Sequence, residues 1–269
     1  MLPKEMLNIV DKPAIQYIVE EAFASGIEEV LVITNRNKGA IEDHFDHAFE
    51  LEAKLEGNES KKKIYEDVMA CSNFGNIYFL RQKETKGLGH AVLCAKNFIG
   101  NEPFAVLYGD DVILSDVPAT KQLCDAYEKY GKGVVGVKEV PGLAITKYCS
   151  LKTEHIEDNC YKCTDMIEKP KPEEIMGNFS ILGRVVLPPE IFDILEETPL
   201  GAGNELQLTD AMKTLAQTAG VVAVEYEGKR YDMGNKFGIL EANIEVGLKH
   251  PETKDELKDY IKKIAESLD

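Results

Sequence analysis

With 269 residues, 44% hydrophobic and 29% charged, the chain has the composition of a globular protein and the length to bury the core of one large domain. Its 47 acidic against 31 basic side chains give a net charge of −16. That is the opposite of the balance that neutralises nucleic-acid phosphates, so nucleic acid is a poor candidate partner. No apolar run approaches the ~20 residues of a membrane span. The opening Met1-Leu2-Pro3-Lys4-Glu5 carries no export signal, so neither membrane nor export is expected and the reading is cytoplasmic.

Along the chain, short apolar runs alternate with helical patterns, the mark of an α/β sheet. Asp11-Lys12-Pro13 reads as a helix start with a polar cap and proline in the first turn; Ile15, Ile18 and Ala22 share its apolar face, and Gly26 closes it. Val30–Thr34 is a predicted buried strand. Residues 38–72 form a polar, partly helical excursion, with Lys61-Lys62-Lys63 on a solvated face. Ile77–Leu80, ending at Arg81-Gln82, and Phe104–Tyr108, ending at Gly109-Asp110-Asp111, are continuous apolar runs. Such runs suit parallel strands covered on both faces, and ligands collect beyond the carboxyl ends of such strands. From about residue 139 the pattern turns antiparallel: strands over 148–153 and 161–167 joined by Glu157-Asp158-Asn159, then 181–187, a helix over 207–218, and strands over 221–226 and 230–232. Leu257, Tyr260, Ile261 and Ile264 give the tail an amphipathic helix that packs on the body or on a second subunit.

Four places carry candidate chemistry. Gly109-Asp110-Asp111 sets carboxylates at the ligand edge of a sheet, suited to Mg²⁺ or simply a solvated turn. Asp232, in Arg230-Tyr231-Asp232-Met233-Gly234-Asn235, is either a helix cap or a carboxylate facing Asp110. Lys86-Gly87-Leu88-Gly89-His90 places a glycine loop at a helix start, open to polar or anionic groups, with His90 read as structural. Glu168-Lys169-Pro170 ends a strand; consecutive strand side chains face opposite ways, so both can address one ligand only if the strand breaks there. The six cysteines, Cys160-x-x-Cys163 included, are read as reduced thiols, because a zinc site needs further ligands nearby.

Taken in order, these segments resemble the sugar-1-phosphate nucleotidyltransferases, and within them the bacterial UTP–glucose-1-phosphate uridylyltransferases. The resemblance runs nearly end to end, through Pro3-Lys4-Glu5-Met6-Leu7, Arg81-Gln82, Lys86–Val92, Gly109-Asp110-Asp111, Glu168–Pro172, Gly201–Asp210 and Asp232–Lys236. It implies a Rossmann-like, mixed, mostly parallel sheet flanked by helices, with a nucleotide-binding half over 1–139, a sugar-binding half over 140–235 and C-terminal helices over 236–269 in a single domain. It also implies the conversion of UTP and glucose 1-phosphate to UDP-glucose and pyrophosphate, with Mg²⁺ as cofactor, in a homo-oligomer. Lys4 would meet the triphosphate and departing pyrophosphate. Gln82 and the Gly87 backbone would read the uracil. Asp110 and Asp232 would hold the metal, with Asp111 beside them. Glu168 would bind sugar hydroxyls, Lys169 the sugar phosphate, and Gly183 would line the sugar pocket.

The sequence also departs from that pattern. Family members open with a buried strand and a Gly-x-Gly-Thr-Arg loop, and these residues begin after it, so the first strand is expected to be missing from between Val30–Thr34 and Phe104–Tyr108. Unpaired backbone groups there cost ~1–3 kcal/mol each when buried, so weak catalysis or poor folding of residues 1–269 alone is expected. Cys149 stands where the family has glycine after Tyr148, and is expected to alter sugar binding. The alternatives weighed are a non-catalytic sugar-nucleotide-binding remnant, a relative using another sugar or base, and a metal-dependent glycosyltransferase.

Overall fold

A computed structural model describes residues 3–268, to which the following statements refer. Strands β1 (Asn8–Ile9) and β2 (Lys12–Pro13) make a small ribbon. There follow α1 (Ala14–Ala24), β3 (Glu29–Thr34), α2 (Gly39–Phe45), α3 (Phe49–Leu55), α4 (Lys62–Ser72), β4 (Asn76–Arg81), α5 (Leu88–Cys94), α6 (Lys96–Ile99) and β5 (Phe104–Leu107). Then come β6 (Asp111–Leu114), α7 (Ala119–Tyr130) and β7 (Gly133–Glu139). The rest supplies β8 (Cys149–Glu157), β9 (Cys160–Glu168), β10 (Phe179–Leu187), α8 (Ile191–Glu197), α9 (Leu208–Thr218), β11 (Val221–Glu225), β12 (Lys229–Asp232), α10 (Lys236–Gly247) and α11 (Lys254–Ala265). No helix is long and apolar enough to cross a membrane.

The main sheet has the order β5-β10-β7-β11-β9-β8, and β3-β4 and β12-β6 are separate pairs. It is mixed, as expected, with helices on both faces. The predominance of parallel strands holds for direction rather than for neighbours. β7 and β11 pair in parallel, as do β3 and β4, whereas β10 lies antiparallel between β5 and β7 and so leaves those two running the same way. Alternation along the strands sorts the core into two layers. Val135, Val185 and Ala223 join α5, α8 and α9, while Val134, Val186 and Val222 join α7. Cys163 falls in the first layer and Cys160 in the second, so their thiols face opposite sides of the sheet. A buried ion pair ties the layers to α1: Arg184 on β10 donates to both carboxylate oxygens of Glu21, at 2.9 and 2.6 Å, and Glu21 also accepts from the backbone N–H of Thr120 in α7.

Two sequence expectations are corrected. Asp11 does not cap α1; Lys12-Pro13 pairs with Asn8-Ile9 instead, and Pro13 flanks the helix from outside in extended geometry. The runs expected to be covered on both faces are only half-buried in β3, β4 and β5, whereas β7, β10 and β11 are buried almost throughout. For β3 and β5 the cause is that they do not pair with each other, and β4 is an edge strand whose one partner among the described residues is β3. A cleft of about 1150 Å³ runs between β3 and β5, lined by Val30–Thr34 on one side and Phe104–Leu107 on the other. This is where the family resemblance expects a further strand.

Candidate active site

The site begins where β5 ends. Tyr108 donates its N–H to the Gly183 carbonyl, and Asp111 donates to the Tyr108 carbonyl at 3.1 Å, a tight turn that projects Asp110 before the chain re-enters as β6. β6 pairs with β12 in a register that sets Asp232 opposite Asp111, and the Met233 N–H donates to the Asp110 carbonyl at 2.8 Å. Two segments far apart in sequence are thereby pinned side by side. Gly234 shows how closely their side chains converge. A Cβ there would lie 3.1 Å from Asp232 Oδ1, 3.3 Å from Asp110 Oδ2 and 3.8 Å from Lys4 Nζ. The three charged groups thus border one small space beside Gly234, where any larger side chain would crowd the two carboxylates. Asn235, not Asp232, caps α10, by accepting from the Phe237 N–H.

Lys4 Nζ donates to Asp110 Oδ2 at 2.5 Å, with both side chains partly open to solvent. Burial opposes the charge on Lys4, but the hydrogen bond and charge of Asp110, with Glu5 and Asp232, hold its ammonium above its ordinary pKa. The donor set suits a hard divalent cation, which takes one or two carboxylates and completes its shell with water and phosphate oxygens. Among the described residues no cluster of three or more His, Cys, Asp or Glu forms a self-sufficient metal cage.

Behind the carboxylates stands Arg230, which composition and spacing did not single out. Its Nε donates to Asp111 Oδ1 at 2.6 Å, its Nη2 lies 3.5 Å from Asp232 Oδ2, and its guanidinium sits 5.3 Å from the centre of the Tyr148 ring. Asp111 is buried, and burial pushes its pKa up against the pull of Arg230. Asp111 is therefore committed to Arg230 rather than directed at the space between Asp110 and Asp232. Gly183 packs on the other side of Asp111. It has φ +84° at the irregularity of β10, and a Cβ there would lie 2.7 Å from the Asp111 Cβ. The parity rule carried the signal for Arg230, since residues 230 and 232 share one face of a strand.

Glu168 closes β9, and Lys169 follows it in left-handed geometry, φ +47°, donating its N–H to the Tyr148 carbonyl at 2.7 Å. The strand breaks at the place required for both side chains to address one ligand. Glu168 Oε2 accepts from the Thr209 hydroxyl at 2.8 Å, at the start of α9. Thr209 lies within a motif that sequence reading used only for the resemblance, and nothing local in the sequence points to Glu168. Through Tyr148 the Glu168-Lys169 loop abuts Arg230 and hence Asp232. Cys149 directs its thiol into the core, accepting from the Ile181 N–H, and burial pushes that thiol up to about 11.

Gln82 is buried after β4. Its side-chain N–H groups reach the Gly87 carbonyl at 3.3 Å and His90 Nδ1 at 2.8 Å, which leaves its carbonyl oxygen free and gives His90 an orienting role. Gly87, φ +97°, lies against Leu206, and the Gly89 N–H donates to the Leu206 carbonyl. The glycine loop and the 201–210 segment are thus stitched together, and the latter reaches Glu168 through Thr209.

Comparison with known proteins gives a consistent picture. Residues 1–247 match the family model described as nucleotidyl transferase. The UTP–glucose-1-phosphate uridylyltransferase of Staphylococcus epidermidis is 50% identical over 263 residues, which cover 98% of this chain and 91% of the relative. A crystal structure of UDP-glucose pyrophosphorylase complexed with UDP-glucose superposes with a TM-score of 0.85 at 39% identity, over 93% of this chain and 92% of that one. The UTP-bound enzyme from Acinetobacter baumannii superposes with a TM-score of 0.87 at 34% identity, over 97% and 91%.

Proposed function

The chain belongs to the nucleotidyl transferase family, and from that premise we infer that it joins UTP and glucose 1-phosphate into UDP-glucose with release of pyrophosphate. The observation that carries the reading is the convergence of Asp110, Asp232 and Lys4 on one space at the sheet mouth, with the Glu168-Lys169 loop tied to the same cluster through Tyr148 and Arg230.

The reaction needs no general base, because the attacking oxygen of a sugar phosphate is already anionic; it needs two anions held in line and their charge neutralised. Asp110 and Asp232 are the residues that would hold Mg²⁺, which when bound supplies positive charge at the α-phosphate and the departing pyrophosphate. Lys4, kept protonated by its acidic neighbours, exchanges its bond to Asp110 for triphosphate oxygens as the nucleotide enters. Lys169 neutralises the sugar phosphate. Glu168 keeps one oxygen on Thr209 and offers the other to sugar hydroxyls. Gln82, with its N–H groups committed, presents its carbonyl oxygen to the N–H of uracil, and the Gly87 backbone borders the base. Gly183 acts on the sugar pocket by letting β10 lie against Asp111. The same reading makes the protein cytosolic and self-associating, and Phe237, Leu240 and Ile244 supply an exposed apolar row on α10 for such contact.

The test is pyrophosphate release from UTP, Mg²⁺ and glucose 1-phosphate, run beside calorimetric titration with UDP-glucose. Release that requires all three components supports the reading. Binding without release identifies a non-catalytic sugar-nucleotide binder, and absence of both overturns it.

A further inference from the structure

The glycine loop carries a hydrogen-bond chain in which one obligate acceptor decides the state of the other members. The Gly87 carbonyl accepts the Ala91 N–H at 3.2 Å in the first turn of α5, and the Gln82 side chain approaches it at 3.3 Å. A carbonyl cannot donate, so the half of the Gln82 amide that faces it is the NH₂ group. The second N–H of that group meets His90 Nδ1 at 2.8 Å. Nδ1 must therefore accept, which places the proton of the neutral ring on Nε2. Cys94, one turn later in α5, agrees with this tautomer. Its Sγ lies 3.9 Å from the same Nδ1, and burial raises the pKa of the thiol, which keeps its proton to donate.

Both ends of the chain are anchored. The Gln82 N–H donates to the Thr34 carbonyl at 2.8 Å, which fixes its backbone against the end of β3. Leu206 donates to the Lys86 carbonyl at 2.8 Å and accepts from the Gly89 N–H at 2.9 Å, which fixes the loop and the start of α5. Reversing the Gln82 amide would set its oxygen against the Gly87 carbonyl and against the Nδ1 lone pair, two repulsions in place of two bonds. Although Gln82 is buried, its carbonyl oxygen has no partner among the described residues and is not sealed from solvent. It stands as an acceptor of fixed orientation at the edge of the loop.

We propose that His90 is a positioning residue that sets nucleotide choice: by accepting from Gln82 at Nδ1 it locks the amide oxygen outward, and the site then selects uracil over cytosine. His90 itself touches neither base nor phosphate. This deepens the proposed function and rests on its use of Gln82 to meet the base. The ring nitrogen N3 of uracil carries a proton and donates to the Gln82 oxygen. The N3 of cytosine carries a lone pair, which that oxygen repels. A polar group held in one orientation discriminates strongly, because the wrong partner leaves it unpaired. The methyl group that distinguishes thymine from uracil lies away from N3, so the lock is blind to it. Discrimination against cytosine and discrimination against thymine are thereby separable.

The test is calorimetric titration of the full chain with UTP, CTP and ribothymidine triphosphate in the presence of Mg²⁺, on the wild type, His90→Phe and His90→Asn. Phenylalanine keeps a ring but removes the acceptor; asparagine sets an oxygen near the place of Nδ1. In His90→Phe the preference for UTP over CTP should fall about tenfold, the worth of one hydrogen bond. The ratio of UTP to ribothymidine triphosphate should stay as in the wild type, and His90→Asn should recover most of the lost preference. A merely structural role for His90 would weaken all three nucleotides together and leave both ratios unchanged, which overturns the proposal. Nitrogen NMR of the nucleotide-free wild type, above the ordinary titration range of histidine, should find the His90 proton on Nε2. A proton on Nδ1 overturns the proposal even if His90→Phe fails to fold. Wild-type chain that binds none of the three nucleotides overturns the proposed function and this role with it, whereas UTP preference that survives in His90→Phe overturns this role alone.

Discussion

The segments that carry Asp110 and Asp232 are braced by Arg230, which bonds Asp111 beside the one and approaches the other. Arg230 neutralises buried Asp111, approaches Asp232 and rests on Tyr148, so it fixes the distance between the two loops that supply the carboxylates. Replacing Arg230 with glutamine leaves Asp111 buried without its counter-charge, a loss expected to reach about 3–5 kcal/mol of stability. Arg230→Lys retains charge but loses the planar fork and the stacking, and should fall between. Chemical denaturation measures the stability. The Mg²⁺ concentration for half-maximal activity separates positioning from simple folding, and should rise in Arg230→Lys even where the protein remains folded. At this scale the sequence marks Gly109-Asp110-Asp111 and Asp232 as candidates at strand ends, although Gly-Asp-Asp alone reads equally as a solvated turn, and the β6–β12 pairing brings the two segments together. Thr209 is not marked in this way, because its partner is set by the approach of α9 to β9, which no local spacing encodes; for Arg230 the spacing signals the shared face with Asp232, but its partner Asp111 is set by the β6–β12 register.

At the scale of elements, the strands themselves were readable and their surroundings were not. The hairpin of β8 and β9 follows from its apolar runs and the Glu157-Asp158-Asn159 turn, and it forms with longer arms than expected. β3, β4 and β5 have the same continuous apolar character as β7 and β11, yet they are half-buried, because a residue pattern reports which faces are apolar and not whether an edge finds a neighbour. Lys12-Pro13 reads as a helix start but forms a strand, since pairing with Asn8-Ile9 uses backbone groups that a helix start leaves free. Burial within β8 and β9 has a pH signature. It pushes the thiols of Cys149 and Cys163 up to about 11 and about 12 from an ordinary value of 9.0. As pH rises through 9 the unfolded chain releases these protons while the folded chain retains them, so stability falls with pH, by up to about 1.4 kcal/mol per unit for each thiol. Urea unfolding at about pH 8.5 and about pH 9.5 should show this decline, with a shallower slope in Cys149→Ala; an unchanged slope would remove Cys149 as a contributor.

For the molecule as a whole, the division of the sheet at the cleft separates a well-buried body from a more open wing. β7, β10 and β11 share two core layers and the Glu21–Arg184 pair, whereas β3 and β4 rest on α1, α2 and one another. Cleft-facing amides of residues 30–33 in the free chain should therefore exchange roughly 100-fold or more faster than those of residues 134–137. Equal protection would mean that the cleft closes in solution. The cleft ends beside Glu5 and Asp110, so water in it reaches the mouth of the candidate site.

The metal-binding role assigned to Asp110 and Asp232 is tested most directly by anomalous diffraction from crystals grown with UTP and Mn²⁺. The account predicts one peak bonded to both carboxylates and to nucleotide phosphate, lost in Asp232→Asn while the fold is retained. A peak elsewhere, or the same peak without Asp232, would contradict it.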